Sequence, residues 1–342
     1  MKTAPRAQDV AALAKVSQSA VSRTFTPGAS VSEETRRKVL AAAKMLGYRP
    51  NALARSLITR RSRIVALVMS YLDNQFYPLV IEQLSQRLQK AGYHVLMFIA
   101  EVDEEADGVL AEILDYQVDG IIMASANLSP RLANSCADLG VPVVQFNRVM
   151  EQRGRGRSKI SSVTSANESG GRMAARLLVE RGYRRIALIA GLENASTSIE
   201  RERGFTDELA VLEMRLWNRE VGHYDFHRAQ EATQRLFAGD ERPDGLFVAN
   251  DHMAIAALDM LRQELNLKVP EDVGVIGFDD VPQAAWGAYR LTTVRQDLEP
   301  MIDATVALLC QQMTGELRPA DIVVPCALVE RATVRQRPPS TA

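Results

Sequence analysis

Cysteine and histidine are both scarce in this chain, and neither falls in a pattern that could hold a metal. The three cysteines, Cys136, Cys310 and Cys326, stand far apart in apolar surroundings with no CxxC spacing. That argues against a disulfide framework and a zinc site, and it implies a reducing compartment. The four histidines, His94, His223, His227 and His252, show no ligand spacing. Neither GxGxxG nor the GxxxxGK signature of a phosphate loop occurs. Nothing pairs a nucleophile with a base, so an enzyme is not expected and no cofactor is implied. No apolar run reaches the roughly 18 residues of a membrane span, and the opening MKTAPRAQDVAALAK lacks the continuous apolar stretch of a secretion signal. The expected location is cytoplasmic, with no membrane partner.

What the chain does have is charge, sorted by position. Residues 1 to 63 hold thirteen Lys/Arg against Asp9, Glu33 and Glu34, a surplus of +10, while the remainder carries 28 basic against 39 acidic residues, or -11. A basic module on an acidic body points to a polyanion as partner of the first part, with nucleic acid leading and a merely solvated basic terminus as the alternative. At 342 residues the chain suits a small unit followed by a larger, two-lobed one.

Within the basic part, Asp9 to Ala14 (DVAALA) reads as a short helix with Val10 and Leu13 on one face. Ser17 then offers an N-cap for a second helix, Gln18 to Phe25. Two helices joined so tightly form a helix-turn-helix, whose second helix enters the major groove with its first residues toward the base edges. Gln18 can bond a base edge twice, Ser19 can serve a base or a phosphate, and Arg23, one turn on, can reach guanine or a phosphate. Val16, Val21 and Phe25 are expected to pack inward; the alternative is a helical hairpin that binds no DNA. Thr26-Pro27-Gly28 breaks the chain, Ser32 caps a third helix with Glu33 and Glu34 in its first turn, and Gly47 ends it. In YRPNALARSLITRRSR, Asn51 can cap one or two turns, Ala52 to Leu57, too short to stand without a partner.

DVAALAKVSQSAVSRTF followed by VSEETRRKVLAAAKMLGYRPNALARSL resembles the lactose-repressor/galactose-repressor (LacI/GalR) family. The resemblance implies that the helix after Asn51 is a hinge helix whose Leu57, supported by Ala54, wedges into the minor groove at the operator centre. Such wedges unstack a base step at a cost of a few kcal/mol. Ser17, Gln18, Ser19, Arg23, Ser32, Asn51, Ala54 and Leu57 are thus the expected DNA-binding residues. One position departs from the family: Lys15 stands where the turn often has Gly or Asn, and a left-handed lysine costs roughly 1 kcal/mol.

From Ile64 onward, apolar runs (IVALVMS, YHVLMFIA, GIIMAS, VPVVQFN, RIALIAG, GLFVAND, VGVIGFDD) alternate with amphipathic helical stretches, the pattern of parallel sheets covered by helices. The same family resemblance, shared with periplasmic sugar-binding proteins, implies two similar lobes joined by crossovers. The expected fold is α/β: an all-α helix-turn-helix headpiece (1–50), a hinge helix and linker (51–63), and a two-lobed periplasmic-binding-protein-like domain with two parallel sheets (64–342). Its first lobe is expected over about 64–161 plus 292–330 and its second over about 162–291.

Ligands of open parallel sheets bind beyond the carboxyl ends of the strands, which draws notice to polar residues that end apolar runs: Asn147, Asn250 and Asp279. Arg201 precedes the Gly of an RGF turn by three residues. The resemblance makes Arg201, Asn250 and Asp279 effector contacts and adds Asn147, Phe76, Tyr77 and Tyr224, the aromatic rings being suited to stack on a sugar. Asp251 and Asp280 read as structural. Many relatives carry an acid where this chain has Asn147. The loop RVMEQRGRGRSK, Arg148 to Lys159, reads first as a solvated connection and second as a bias toward an anionic ligand.

The function these readings imply is a sequence-specific transcription regulator, with repression as the default. It is expected to bind pseudo-palindromic double-stranded operator DNA as a homodimer and to answer to a small metabolite, a sugar, sugar acid or related compound. The tail VERATVRQRPPSTA has no leucine heptad that would build a larger assembly. The rival reading is a solute-binding receptor without a DNA role, which would need a secretion signal and no headpiece.

Overall fold

A computed structural model of the chain describes residues 5–26, 28–49, 61–70, 72–100, 112–125, 136, 138–149, 160–316 and 318–336. The chain divides into two compact units, Met1–Ser62 and Arg63–Ala342.

The smaller unit holds helices α1 (Ala7–Ala14), α2 (Gln18–Thr24) and α3 (Glu33–Leu46). Local chemistry sets each end. Asp9 accepts the Arg6 N–H at 2.7 Å, Ser17 Oγ accepts the Ala20 N–H, and Ser32 Oγ accepts the Thr35 N–H. Lys15 takes the left-handed conformation (φ 54°, ψ 49°) and donates its N–H to the carbonyls of Ala11 and Ala12, so the turn keeps its geometry without a glycine. Gly47 ends α3 in the same conformation. Val10, Val21 and Val39 are fully buried together, with Val16, Phe25 and Tyr48 packed against them. Leu13, expected beside Val10, is 44% exposed: the inward face of α1 is Val10, Ala11 and Ala14. Phe25 caps α2 rather than extending it. Asn51, Ala54 and Leu57 lie outside the described residues.

The larger unit contains two six-stranded sheets. The first is built from β1 (Ile64–Met69), β2 (His94–Ile99), β3 (Gly120–Ala124), β4 (Val143–Phe146), β5 (Ser161–Ser165) and, late in the chain, β11 (Asp321–Val324), in the order β11-β5-β4-β3-β1-β2. The second uses β6 (Ile186–Ala190), β7 (Asn218–Val221), β8 (Gly245–Val248), β9 (Gly274–Asp279), β10 (Thr292–Gln296) and β12 (Cys326–Val329), in the order β12-β10-β9-β8-β6-β7. Among the described residues all pairings are parallel except β10 with β12, which is antiparallel at the edge of the second sheet, so both sheets are parallel-dominated as expected. Helices α4 (Phe76–Lys90) and α9 (Leu298–Met313) belong with the first sheet. With the second run α5 (Asn167–Glu180), α6 (Ser196–Val211), α7 (Phe226–Leu236) and α8 (Asp251–Asp259), the last continuing as a π-helical turn.

The lobe limits differ from those expected. β5 belongs to the first sheet although it runs to Ser165, and the segment after Thr292 does not return at once, because β10 pairs with β9. Only α9 and β11 go back, after which β12 rejoins the second sheet. Hydrogen-bond register decides this: Thr292 pairs with Ile276 and Arg295 with Asp279, completing the ladder beside β9. One apolar cluster runs across both lobes, joining Phe76 and Tyr77 of the first to Tyr224 and Val281 of the second.

In the second lobe α5 and α6 touch backbone to backbone. A Cβ on Gly204 would lie 2.0 Å from the Glu168 carbonyl oxygen, and one on Gly171 would lie 2.2 Å from that of Arg201. The contact sets the depth at which α6 delivers Arg201. Gly204→Ala is therefore expected to lower the stability of the larger unit by about 1–3 kcal/mol, seen as an earlier urea midpoint. An unchanged midpoint would mean that the helices part without cost.

Candidate functional site

Both sheets reverse strand order beside their first strand, at β1/β3 and β6/β8, and the residues just past those carboxyl ends face the space where such folds take ligands. Backbone strain collects there. Ser125 after β3, Asn147 after β4, His223 and Tyr224 after β7, and Asp279 and Asp280 at the end of β9 all have positive φ without being glycine. Asn147 is the centre of a γ-turn, with the Arg148 N–H donated to the Phe146 carbonyl at 2.8 Å. Conformations of this kind persist only where the surroundings over-determine them, and they concentrate at functional sites.

In the second lobe Arg201 is 2% exposed and its guanidinium is engaged on several sides. Nε donates to Asn167 Oδ1 at 2.9 Å and Nη1 to the Ala249 carbonyl at 2.6 Å, Asp279 Oδ1 stands 3.4 Å from Nη1, and the Phe278 ring lies 3.6 Å beneath. Asp279 also accepts from Gln296 Nε2 at 2.6 Å. Burial pushes the Asp279 carboxyl up to about 6, with Arg201 and Gln296 opposing the rise. Its neighbour Asp251 accepts from the Val281 N–H and the Thr293 hydroxyl, and burial together with the Asp279 charge pushes it up to about 7. Asn250 caps α8 through Oδ1, which accepts the Met253 N–H at 3.0 Å; its buried Nδ2 has no hydrogen-bond partner. Tyr224 shares a hydrogen bond with Thr197 and lies on Gly191, where a Cβ would sit 2.2 Å from the ring.

The first lobe adds Tyr77, which accepts from Asn147 Nδ2 at 3.4 Å, while Asn147 Oδ1 is buried without a hydrogen bond. Burial raises the Tyr77 hydroxyl, and Arg148, Asp279 and Tyr224 are near enough to perturb it, so residues of both lobes converge here. Phe76 lines a 370 Å³ groove that also contains Asp279 and Gln296. Contacts among the described residues that span the lobes include Arg148 over the Tyr224 ring at 5.0 Å, the Val149 N–H on Ser196 Oγ, and Gln75 Oε1 with His252 Nδ1 at 3.0 Å. Arg148 is thus buried, against the solvated connection expected of the loop it opens; residues 150–159 of that loop lie outside the described residues. Ser125, Asn167 and Gln296 have no place in the sequence reading, although Ser125 and Gln296 end strands as Asn147 and Asp279 do; Arg148 figures there only as the residue that follows Asn147 and opens the basic loop.

In the smaller unit Ser17, Gln18 and Ser19 are exposed at the leading end of α2, and Arg23 is exposed in its last turn. The hydroxyls of Ser17 and Ser32 also serve as helix caps. Among the described residues no group of three or more His, Cys, Asp or Glu gathers to hold a metal, and no helix is long and apolar enough to cross a membrane.

Residues 7–51 match the family model described as bacterial regulatory proteins, lacI family, and residues 175–334 match a periplasmic binding protein-like domain. The HTH-type transcriptional regulator CelR of Thermobifida fusca is 33% identical, covering 96% of this chain and 97% of its own. The chain belongs to the lacI family. As a member of that family it is a DNA-binding transcription regulator and not an enzyme. The sucrose operon repressor of Streptococcus mutans is 31% identical over 95% of the lacI-family chain and 98% of its own. Among solved structures, the lac repressor dimer bound to operator and the anti-inducer ONPF aligns with TM-score 0.87 at 26% identity, covering 97% of this chain and 99% of that one. The CelR–cellobiose complex aligns with TM-score 0.72 at 31% identity, covering 96% and 99%.

Asp251 and Asp279 are both held above the ordinary carboxyl value, so the folded lacI-family chain retains protons that the unfolded chain releases. Their contribution to stability is complete below the unfolded value near 4 and is lost as pH rises through about 6 and about 7. Asp251→Asn should flatten that decline in a thermal-melting series across this range; a slope equal to wild type would refute it.

Proposed function

We propose that this chain is a cytoplasmic repressor that grips a pseudo-palindromic operator as a homodimer and changes its grip when a sugar-type metabolite enters between its lobes. The observation that carries the reading is the meeting of Arg201, Asp279, Tyr77 and Asn147 at the strand ends of two lobes, in a chain whose smaller unit exposes Gln18, Ser19 and Arg23 on α2. Carboxylate, carboxamide and guanidinium groups offer hydrogen bonds to hydroxyls in either sense, and Tyr224 and Phe76 offer ring faces. Unsatisfied Asn147 Oδ1 and Asn250 Nδ2 call for a donor and an acceptor, which a single sugar hydroxyl can be in turn. Relatives named for cellobiose, sucrose and ribose support a carbohydrate class.

On this reading Gln18, Ser19 and Arg23 approach base edges, Ser17 and Ser32 approach phosphates, and Asn51 caps the hinge helix that brings Leu57 and Ala54 to the operator centre. Effector binding shifts the balance between states that differ in lobe closure, and so biases the pairing of hinge helices.

The test begins by selecting genomic fragments that the full chain retains, then measuring the salt dependence of binding with and without cellobiose, sucrose, ribose and gluconate. Leu57→Ala should weaken binding to the selected fragment by about tenfold or more and leave sugar-induced thermal shifts unchanged. Arg23→Ala should cost about 1–3 kcal/mol of DNA affinity, again without touching the sugar response. Asp279→Ala should keep DNA binding and abolish the response. A full response in Asp279→Ala would place the pocket elsewhere, and retention of no fragment above random duplex would end the regulator reading.

A further inference from the structure

The backbone passes between the lobes three times: from Ser165 at the end of β5 into α5, from Gln296 at the end of β10 into α9, and from Val324 of β11 to Cys326 of β12. Side chains from all three passages meet beside Asp279. Gln296 Nε2 donates to Asp279 Oδ1 at 2.6 Å, and Gln296 Oε1 accepts from the Ser165 hydroxyl. That hydroxyl also lies 3.3 Å from Met301 Sδ and against the Cys326 thiol. Ser165, Gln296 and Asp279 are all buried.

A carboxamide has a donating and an accepting end of nearly the same size, so packing alone does not choose which one faces Asp279. The two neighbours do: the Asp279 carboxylate, which only accepts when ionised, takes the NH2 end, and the Ser165 donor holds the oxygen end. Without the Ser165 donor the buried amide oxygen loses its partner and the amide is held from one side only, so its grip on the carboxylate loosens.

We propose that Ser165 is a positioning residue for the effector response: acting through Gln296, it orients the Asp279 carboxylate and ties it to the three passages between the lobes. The proposal rests on the reading of Asp279 as an effector contact. A ligand that takes hold of Asp279 then pulls on Gln296, and through it on the segments about which the lobes turn.

The deciding experiment needs no effector. Ser165 and Asp279 are linked by Gln296 and share no hydrogen bond of their own among the described residues, so a purely structural serine would act independently of Asp279. A double-mutant cycle of Ser165→Ala and Asp279→Asn in the full chain, read by urea unfolding, should depart from additivity by about fivefold or more in the unfolding constant. The coupling should vanish in a Gln296→Leu background and also when Ser165→Thr, which keeps the hydroxyl donor, replaces Ser165→Ala. Additive constants for Ser165→Ala, or coupling that survives Gln296→Leu, overturn the proposal. If the double variant does not fold, Ser165→Ala alone decides, through the pH at which Asp279 titrates among Arg201, Arg148 and Asp251: it should move upward, and an unmoved profile overturns the proposal. Because no ligand enters the cycle, additivity fails Ser165 even if Asp279 binds effector. An Asp279→Ala variant that still responds to sugars fails the pocket reading and leaves the orienting role of Ser165 intact.

Discussion

Burying a permanent charge is among the more costly things a fold can do, and the second lobe is arranged around one such charge. Arg201 is almost wholly withdrawn from water, so every direction in which its guanidinium points needs an acceptor or a ring. Those partners come from separate parts of the chain: Asn167 at the start of α5, the carbonyl of Ala249 after β8, and Asp279 and Phe278 on β9. One side chain therefore fixes the mutual placement of α5, α6, β8 and β9. The close approach of α6 to α5, possible only because Gly171 and Gly204 lack side chains, is what lets it reach that far.

Strain and charge fall in the same region. Asn147, Tyr224 and Asp279 sit at strand ends in conformations that a free chain would avoid, and each is held there by a neighbour: Tyr77 for Asn147, Thr197 and Gly191 for Tyr224, Gln296 and Arg201 for Asp279. Two raised carboxyls share this site with two buried arginines, Arg148 and Arg201, one from each lobe. Such an arrangement is poorly explained as packing, since apolar side chains of similar size would fill the space with less desolvation.

The headpiece is legible in the sequence because its structure is local: Ser17, Ser32 and Gly47 act within four residues of themselves. Leu13 misled because helical spacing alone does not say which neighbouring helix lies on which side. In the larger unit the seven apolar runs correspond to β1, β2, β3, β4, β6, β8 and β9. β5 and β10 escaped notice since SSVTS and TTVRQ are buried by hydrogen-bonding their hydroxyls and amides rather than by being apolar: Ser162 donates to Asp321, and Thr293 to Asp251. The lobe limits were misjudged for the same reason, because strand order depends on pairing that no single segment encodes. Among cleft residues, the strand-end rule works where an apolar run precedes the polar residue and fails at Gln296, whose strand is itself polar. Arg148 was hidden by the basic stretch that follows it.

The shortest connection between the two sheets has a consequence for motion. Val324 ends β11 and Cys326 begins β12, so a single residue, Pro325, separates ladders that belong to different lobes. Proline has one backbone torsion already locked by its ring. The lobes therefore have no slack with which to slide past each other or draw apart, and relative movement without breaking either ladder is limited to pivoting about this point.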